Sequence, residues 1–244
     1  LYMEKYGVTR EQLIAVAIKN QKIGALNPYA HVNMVITREG ILESPDAVVN
    51  NPVAADPLHF YDMCPVSDGA AAVVLCALEK APQFTKKTPV VIAGFGQATD
   101  THTLQERDDP TDLKAVTLAA SQAFAMAALQ PKDVDVAELH DAFTILEIAE
   151  SEHAGFFKKG EGGKAAEKGE TSINGKLPIN VSGGLKARGH PLGATGVAQV
   201  VEIVFQLRHD LPEERQVQDA RVGFTLNFGG FGNNVVAFVL RRSE

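Results

Sequence analysis

The stretch Ser182-Gly183-Gly184-Leu185-Lys186-Ala187-Arg188-Gly189-His190-Pro191-Leu192-Gly193-Ala194-Thr195-Gly196 sets one histidine between a glycine and a proline, just ahead of a helix with a glycine-rich first turn. The proline limits the backbone there, and the amide donors beside it suit an oxyanion or a phosphate. A neutral imidazole accepts a proton near neutral pH, and its N–H donates to developing negative charge. The bland alternative is a turn that only lets helix and strand pack closely, with His190 as filler. For an isolated histidine that alternative is preferred; for the whole string it is not.

Outward from this loop the pattern is regular. A strand is expected over Ile179 to Val181 before it and a helix over Gly193 to Leu207 after it. Upstream, a strand (Val90 to Gly94) leads to a long helix (Thr111 to Leu129) opened by Pro110 and closed by Pro131, then to a strand (Val134 to Leu139) and a helix (Phe143 to Phe156). The Gly/Lys/Glu-rich stretch Lys158 to Lys176 carries charges of both signs and is expected to be a solvated excursion. Two last strands, Val222 to Asn227 and Val235 to Leu240, are expected to pair as a hairpin on the sheet. Strands and helices alternating at this spacing predict an α/β layer sandwich.

The first third is looser. Thr9 and Gln12 have capping-box spacing, and Leu13, Val16, Ala17 and Asn20 follow on one helical face. A Pro- and Asn-rich stretch and short apolar runs (Val32 to Ile36, Gly40 to Leu42) then read as a loop-rich lid. Gly69 to Leu78 is dense in Ala and Val, which suits a buried helix or a buried strand; periodicity does not choose between them. Pro82 and Pro89 isolate a polar linker.

With 244 residues, 45% hydrophobic and 22% charged, the bulk of the chain is globular rather than disordered. Thirty acidic residues against 23 basic give a net charge of −7, which opposes non-specific attraction to nucleic acid. No run approaches a membrane span and Leu1-Tyr2-Met3-Glu4-Lys5 does not open a signal peptide, so a cytoplasmic location and no membrane partner are expected. Cys64 and Cys76 match no metal-ligand spacing and are too few for a disulfide framework. Reduced thiols, no metal and no bound cofactor are the expectation. Leu1 is no initiator and opens directly into helix-like sequence, as a piece of a longer protein would.

Two more clusters end at strand termini, where open α/β sheets bind ligands. In Glu138-Leu139-His140-Asp141-Ala142-Phe143, Asp141 is explained as a helix cap, with His140 as a donor beside it. In Asn227-Phe228-Gly229-Gly230-Phe231-Gly232-Asn233-Asn234 the glycines serve positive φ or let the backbone approach a substrate.

These residues resemble the thiolase superfamily, in particular the branch of sterol-carrier-protein-type and archaeal thiolases. Gly189-His190-Pro191-Leu192-Gly193-Ala194-Thr195-Gly196 resembles that family's Gly-His-Pro loop. His140-Asp141-Ala142-Phe143 resembles the His-Asp counterpart of its Asn-Glu-Ala-Phe motif, and Cys64-Pro65-Val66-Ser67-Asp68-Gly69-Ala70 the end of its N-terminal half. The resemblance implies an α-β-α-β-α sandwich lacking most of the N-terminal half. Residues 1–58 would be the rest of a loop domain covering coenzyme A, 59–88 the end of the N-terminal domain and 89–244 the C-terminal domain. It also implies acyl-CoA chemistry, thiolysis of a 3-oxoacyl-CoA or Claisen condensation, as in the acetyl-CoA acetyltransferases of lipid metabolism. Coenzyme A is then a substrate, and the assembly a homodimer or homotetramer. His190 would activate the nucleophile and His140 help build the oxyanion hole. Cys64, Gly189, Gly229 and Asn227 would line the CoA site, although simple packing also explains Cys64.

Two departures bear on the chemistry. The family's nucleophilic cysteine lies upstream of this segment, so the fragment alone is expected to be inactive. The second cysteine is also replaced, by Asn227 in the Asn227-Phe228-Gly229 turn and by Ala142 in the His-Asp motif, and neither side chain shuttles protons. Two alternatives stay open: a thiolase-like retro-aldol CoA lyase working with an OB-fold, zinc-ribbon partner, and a non-catalytic acyl-CoA-binding scaffold.

Overall fold

The computed structural model describes residues 1–243. Its helices are α1 (Tyr2–Tyr6), α2 (Arg10–Gly24), α3 (Ala47–Asn50), α4 (Lys114–Ala127), α5 (Thr144–His153), α6 (Gly162–Glu167), α7 (Gly184–Ala187) and α8 (Thr195–Arg208). Its strands are β1 (Val53–Ala55), β2 (Leu58–His59), β3 (Val90–Thr99), β4 (Val136–Glu138), β5 (Val222–Gly229) and β6 (Asn234–Arg242). The main sheet has the order β3-β6-β5-β4, with β4 parallel to β5 and the other pairs antiparallel.

Side-chain alternation along the strands builds two cores. Val235, Ala237 and Val239 of β6 join Phe224, Leu226 and Phe228 of β5 in a cluster beneath α4. Leu240 and Phe238 turn the other way, toward Ile203 and Leu207 of α8. The result is three layers, helix on sheet on helix. Helix α4 lies close on β3 because glycine leaves room: a Cβ at Gly94 or Gly96 would overlap the carbonyl oxygens of Ala123 or Ala119. Helix α2 starts on the capping box formed by Thr9 and Gln12 and buries Leu13, Val16, Ala17 and Asn20 on one face.

Several expectations need correction. The segment expected as a strand at Ile179 to Val181 makes only a single bridge, Ala137 with Ile179, because its next residues turn into the glycine loop. The stretch 158–176 is not a solvated excursion: it carries α6, whose Gly162, Gly163, Ala165 and Ala166 are buried, and glycine at 163 lets Gln12 pack directly against the backbone. Residues 69–77 form neither helix nor strand, with Val74 and Leu75 at 90% and 71% exposure. Gly69 at its start lies against Pro191, but Val73, Val74 and Leu75 beyond it are exposed, their apolar surface left uncovered among the described residues. The expected buried helix or strand over Gly69 to Leu78 is therefore not formed here, whereas small residues do pack closely in α4, where Ala119, Ala120 and Ala123 are buried. Strand β3 reaches Thr99, past the expected end at Gly94, because β6 pairs with it along its whole length.

Candidate active site at the end of the sheet

The chain leaves β4 at Glu138, and Leu139, His140 and Asp141 form the turn into α5. Asp141, completely buried, accepts from Leu185 N at 2.7 Å and from Asn20 Nδ2 at 2.8 Å, which ties the turn to the glycine loop and to α2. A Cβ at Gly184 (φ +59) would collide with that carboxylate. Gly189 then takes φ +109, closed to L side chains, and Ser67 and His31 pack against its bare Cα. The loop so shaped brings His190 to His140: the ring centroids are 4.8 Å apart and the planes 86° to each other. Phe228 of β5 stacks on the other side of His140, centroids 4.7 Å apart.

The hydrogen bonds assign opposite tautomers to the two rings. Gln199 Nε2 donates to Leu139 O (3.0 Å) and Leu226 O (3.1 Å), which turns its Oε1 toward Asn227. Asn227 Nδ2 must then be the donor at 3.3 Å to that oxygen, and it also donates to His140 Nδ1 at 2.9 Å. His140 therefore accepts at Nδ1 and carries its proton on Nε2. At His190 the pattern reverses. Thr195 Oγ1 gives its single proton to Pro191 O (3.0 Å), so it accepts from His190 Nδ1–H at 2.8 Å and leaves Nε2 with a lone pair. Burial, then the charges of His190 and Arg188, push the His140 pKa down to about 3; burial and Arg188 lower that of His190. Both rings are neutral at neutral pH. The site thus holds one N–H donor and one base.

Of the residues singled out from sequence, His140, His190, Asn227 and Gly189 come together. Cys64 is half-buried, and its backbone N–H donates to Ala142 O at 2.9 Å, so its segment lies alongside the His140 turn. Burial and Asp141 raise its pKa, with Lys186 opposing, so it is a thiol rather than a thiolate at neutral pH. Gly229 ends β5, exposed, with open space where a Cβ would go; the positive φ values in that turn belong to Gly230 and Gly232. Sequence reasoning missed Gln199 and Thr195, which set the two tautomers. It also missed Glu150, a fully buried carboxyl whose Oε2 accepts from His140 N at 2.7 Å and whose pKa burial pushes well up. Only the spacing of Thr195 after His190 offered a local signal.

Behind the rings, Lys186, 1% exposed, donates to Met63 O. Asp62 accepts from Arg10, from Thr144 Oγ1 (2.7 Å) and from His59 N (2.7 Å). This network pins the segment before Cys64 to the floor of the site. Among the described residues no group of three or more His, Cys, Asp or Glu side chains is placed to hold a metal, and no helix is long and apolar enough to cross a membrane.

A family model described as "Thiolase C-terminal domain-like" matches residues 96–242. An acetyl-CoA acetyltransferase of Methanothermobacter thermautotrophicus is 46% identical over 241 residues, 99% of this chain and 61% of the relative. Sterol carrier protein 2 of Bos taurus is 37% identical over 240 residues, 96% of this chain and 42% of the relative. Among solved structures, the Ltp2-ChsH2(DUF35) aldolase superposes with a TM-score of 0.84 at 26% identity, over 99% of this chain and 60% of that one. The chain spans about three fifths or less of the length of these proteins.

Proposed function

This chain belongs to the thiolase superfamily, and from that premise we propose that it forms the C-terminal part of an acyl-CoA enzyme that breaks or makes the C2–C3 bond of a 3-oxoacyl-CoA. The observation that carries the proposal is the pairing of opposite tautomers, a base at His190 Nε2 and a donor at His140 Nε2–H on rings whose centroids lie 4.8 Å apart. A C–C cleavage that passes through a thioester enolate needs both groups at once.

In the thiolytic direction, a cysteine thiol supplied by residues outside this chain gives its proton to His190 Nε2 and adds to the 3-oxo carbon. As the tetrahedral adduct collapses, the C2–C3 bond breaks and its electrons pass to the thioester oxygen, held by His140 Nε2–H. The His190 imidazolium returns its proton to C2, acetyl-CoA leaves, and coenzyme A takes the acyl group from sulfur. Condensation is the reverse. Asn227 holds the His140 tautomer, Thr195 that of His190, and Gly189 lets the loop approach the thioester. The carried-over assignment gives residues 1–58 the role of covering coenzyme A and 59–88 that of closing an N-terminal domain, which would also cover the exposed run 69–77.

A second reading is favoured by two observations: neither Ala142 nor Asn227 supplies the second thiol, and one fold neighbour is an aldolase. Retro-aldol cleavage of a 3-hydroxyacyl-CoA uses the same pair. His190 removes the hydroxyl proton, the C2–C3 bond breaks to release a carbonyl compound, His140 holds the enolate oxygen, and the His190 imidazolium returns its proton to C2 to give the shortened acyl-CoA without an acyl-enzyme. An OB-fold, zinc-ribbon partner belongs to this reading. The test is turnover by the full-length protein of a 3-oxoacyl-CoA with and without added coenzyme A, and of a 3-hydroxyacyl-CoA alone. Cleavage that requires free coenzyme A supports the thiolase; cleavage of the hydroxy substrate without it supports the lyase. Acyl-CoA binding with no turnover of either defeats both in favour of a binding scaffold.

A further inference from the structure

Each of the two facing histidines is preceded, two residues upstream, by one member of a buried charge pair: Glu138 before His140 and Arg188 before His190. Arg188 Nη1 lies 3.8 Å from Glu138 Oε2, with side chains 10% and 0% exposed. We infer that Glu138 and Arg188 form a positioning pair that sets His140 against His190 and keeps a fixed positive charge behind both rings. The inference rests on the donor and base roles proposed above.

The surroundings hold the Glu138 carboxyl and the backbone of Arg188. Glu138 accepts from Ser182 N at 2.9 Å and from Ser182 Oγ at 2.7 Å, and Ser182 O in turn accepts from Asn27 Nδ2 at 2.7 Å. The start of the glycine loop is thereby fastened to the end of β4. At the other end of the loop, Arg188 N donates to Gly184 O and Arg188 O accepts from His31 N, each at 3.0 Å. The guanidinium is less restrained: Nη1 and Nη2 form no hydrogen bond with the described residues. Its charge is not shared out through such bonds, and Glu138 is the carboxylate paired with it.

The other titratable groups that face the pair come from three elements. Glu202 of α8 acts on Glu138 but is itself held by Arg215 at 2.9 and 3.0 Å, and the remaining two are His140 and His190. Burial and Glu202 raise the Glu138 pKa to about 7, while Arg188 and the Ser182 hydrogen bonds oppose the rise. Arg188 contributes to the lowering at both histidines, after burial in each case. Arginine keeps its charge at any working pH, so this field does not switch off. An apolar pair of similar volume packs at no loss of stability in many buried sites, so a charge pair here is better explained by geometry and field than by stability.

The test uses the full-length protein and reads chemistry at His190 rather than turnover. Diethyl pyrocarbonate acylates neutral imidazole, and peptide mass spectrometry of His190 against pH gives the half-point of its protonation. Arg188→Met is expected to raise that half-point by about one pH unit. Arg188→Lys keeps it at the wild-type value. Glu138, its pKa raised to about 7, is largely protonated where His190 titrates, so Glu138→Gln is expected to leave the half-point at the wild-type value. Should Arg188→Met alone fail to fold because it strands a buried carboxylate, the double variant Arg188→Met/Glu138→Leu removes both charges and is expected to raise the half-point as well. No rise in either Met variant overturns the inference. So does a rise in Glu138→Gln, the sign of a loosened loop rather than a lost field. If the half-points move as expected while His190→Ala keeps full activity, the pair stands and the catalytic assignment of His190 fails.

Discussion

Replacing His140 with phenylalanine separates the chemistry of this ring from its packing. The phenyl ring keeps the stack on Phe228 (4.7 Å) and the edge-on contact with His190 (4.8 Å) and loses both nitrogens. Loss of one enolate-stabilising donor costs about 10²–10³ in kcat, or ~2.7–4 kcal/mol of transition-state stabilisation. Stability behaves differently. Asn227 Nδ2 loses its bond to Nδ1 but keeps Gln199 Oε1 at 3.3 Å, so the buried amide is not stranded, and the apolar ring suits the site. The net change is expected within ~1 kcal/mol, a few degrees of Tm for a domain of this size. The signature is a large fall in kcat, little change in KM because the donor acts on charge that develops in the transition state, and a preserved melting curve. The assay is steady-state turnover of full-length wild type and variant on a 3-oxoacyl-CoA, with parallel thermal unfolding. A kcat within about threefold of wild type refutes the donor role. A rate loss matched by a collapse in Tm refutes the separation of chemistry from packing.

The same variant tests a pH dependence. With a folded-state pKa of about 3, His140 binds fewer protons folded than unfolded between about 3 and its ordinary value near 6.5, so it costs stability as the pH falls through that window, by up to ~1.4 kcal/mol per unit. Glu138 and Asp141, raised to about 7 and about 6, act oppositely, costing stability as the pH rises from the ordinary carboxylate range through those values. The Tm drop from pH 7 to pH 5 is therefore expected to be smaller in His140→Phe than in wild type, and an equal drop excludes a buried neutral His140. Lys19 Nζ pairs with Glu147 Oε1 at 2.9 Å in the buried network, so Lys19→Met is expected to cost about 3–5 kcal/mol in urea unfolding, with part recovered in Lys19→Met/Glu147→Leu. Gly96→Ala drives a methyl into the Ala119 carbonyl and is expected to cost at least about 1–3 kcal/mol; an unchanged Tm contradicts the close contact of α4 with β3.

Local signals in the sequence were reliable where the residues that decide an element sit inside it. The Thr9 and Gln12 box, with the face Leu13, Val16, Ala17 and Asn20, specified α2, and the apolar alternation flanking Phe228 to Asn234 specified the β5–β6 pair. They failed where the deciding partner is remote. Residues 69–77 read as buried because of their composition, but what would bury them is not among the described residues. The loop at 158–176 read as solvated, but α2 offered its small residues a surface.

The candidate site divides along the same line. Sequence alone determined that a histidine would stand in a rigid Gly-His-Pro turn ahead of a helix, that a second would follow a strand, and that no cysteine would stand at 142 or 227, because backbone permissiveness and side-chain identity are local properties. Only the tertiary structure decided which nitrogen of each ring bears the proton. That choice belongs to Gln199 and Asn227 at one ring and to the Thr195 hydroxyl with the Pro191 carbonyl at the other. Hydrogen bonds between residues 28 and 87 positions apart exist only once the sheet and α8 have packed.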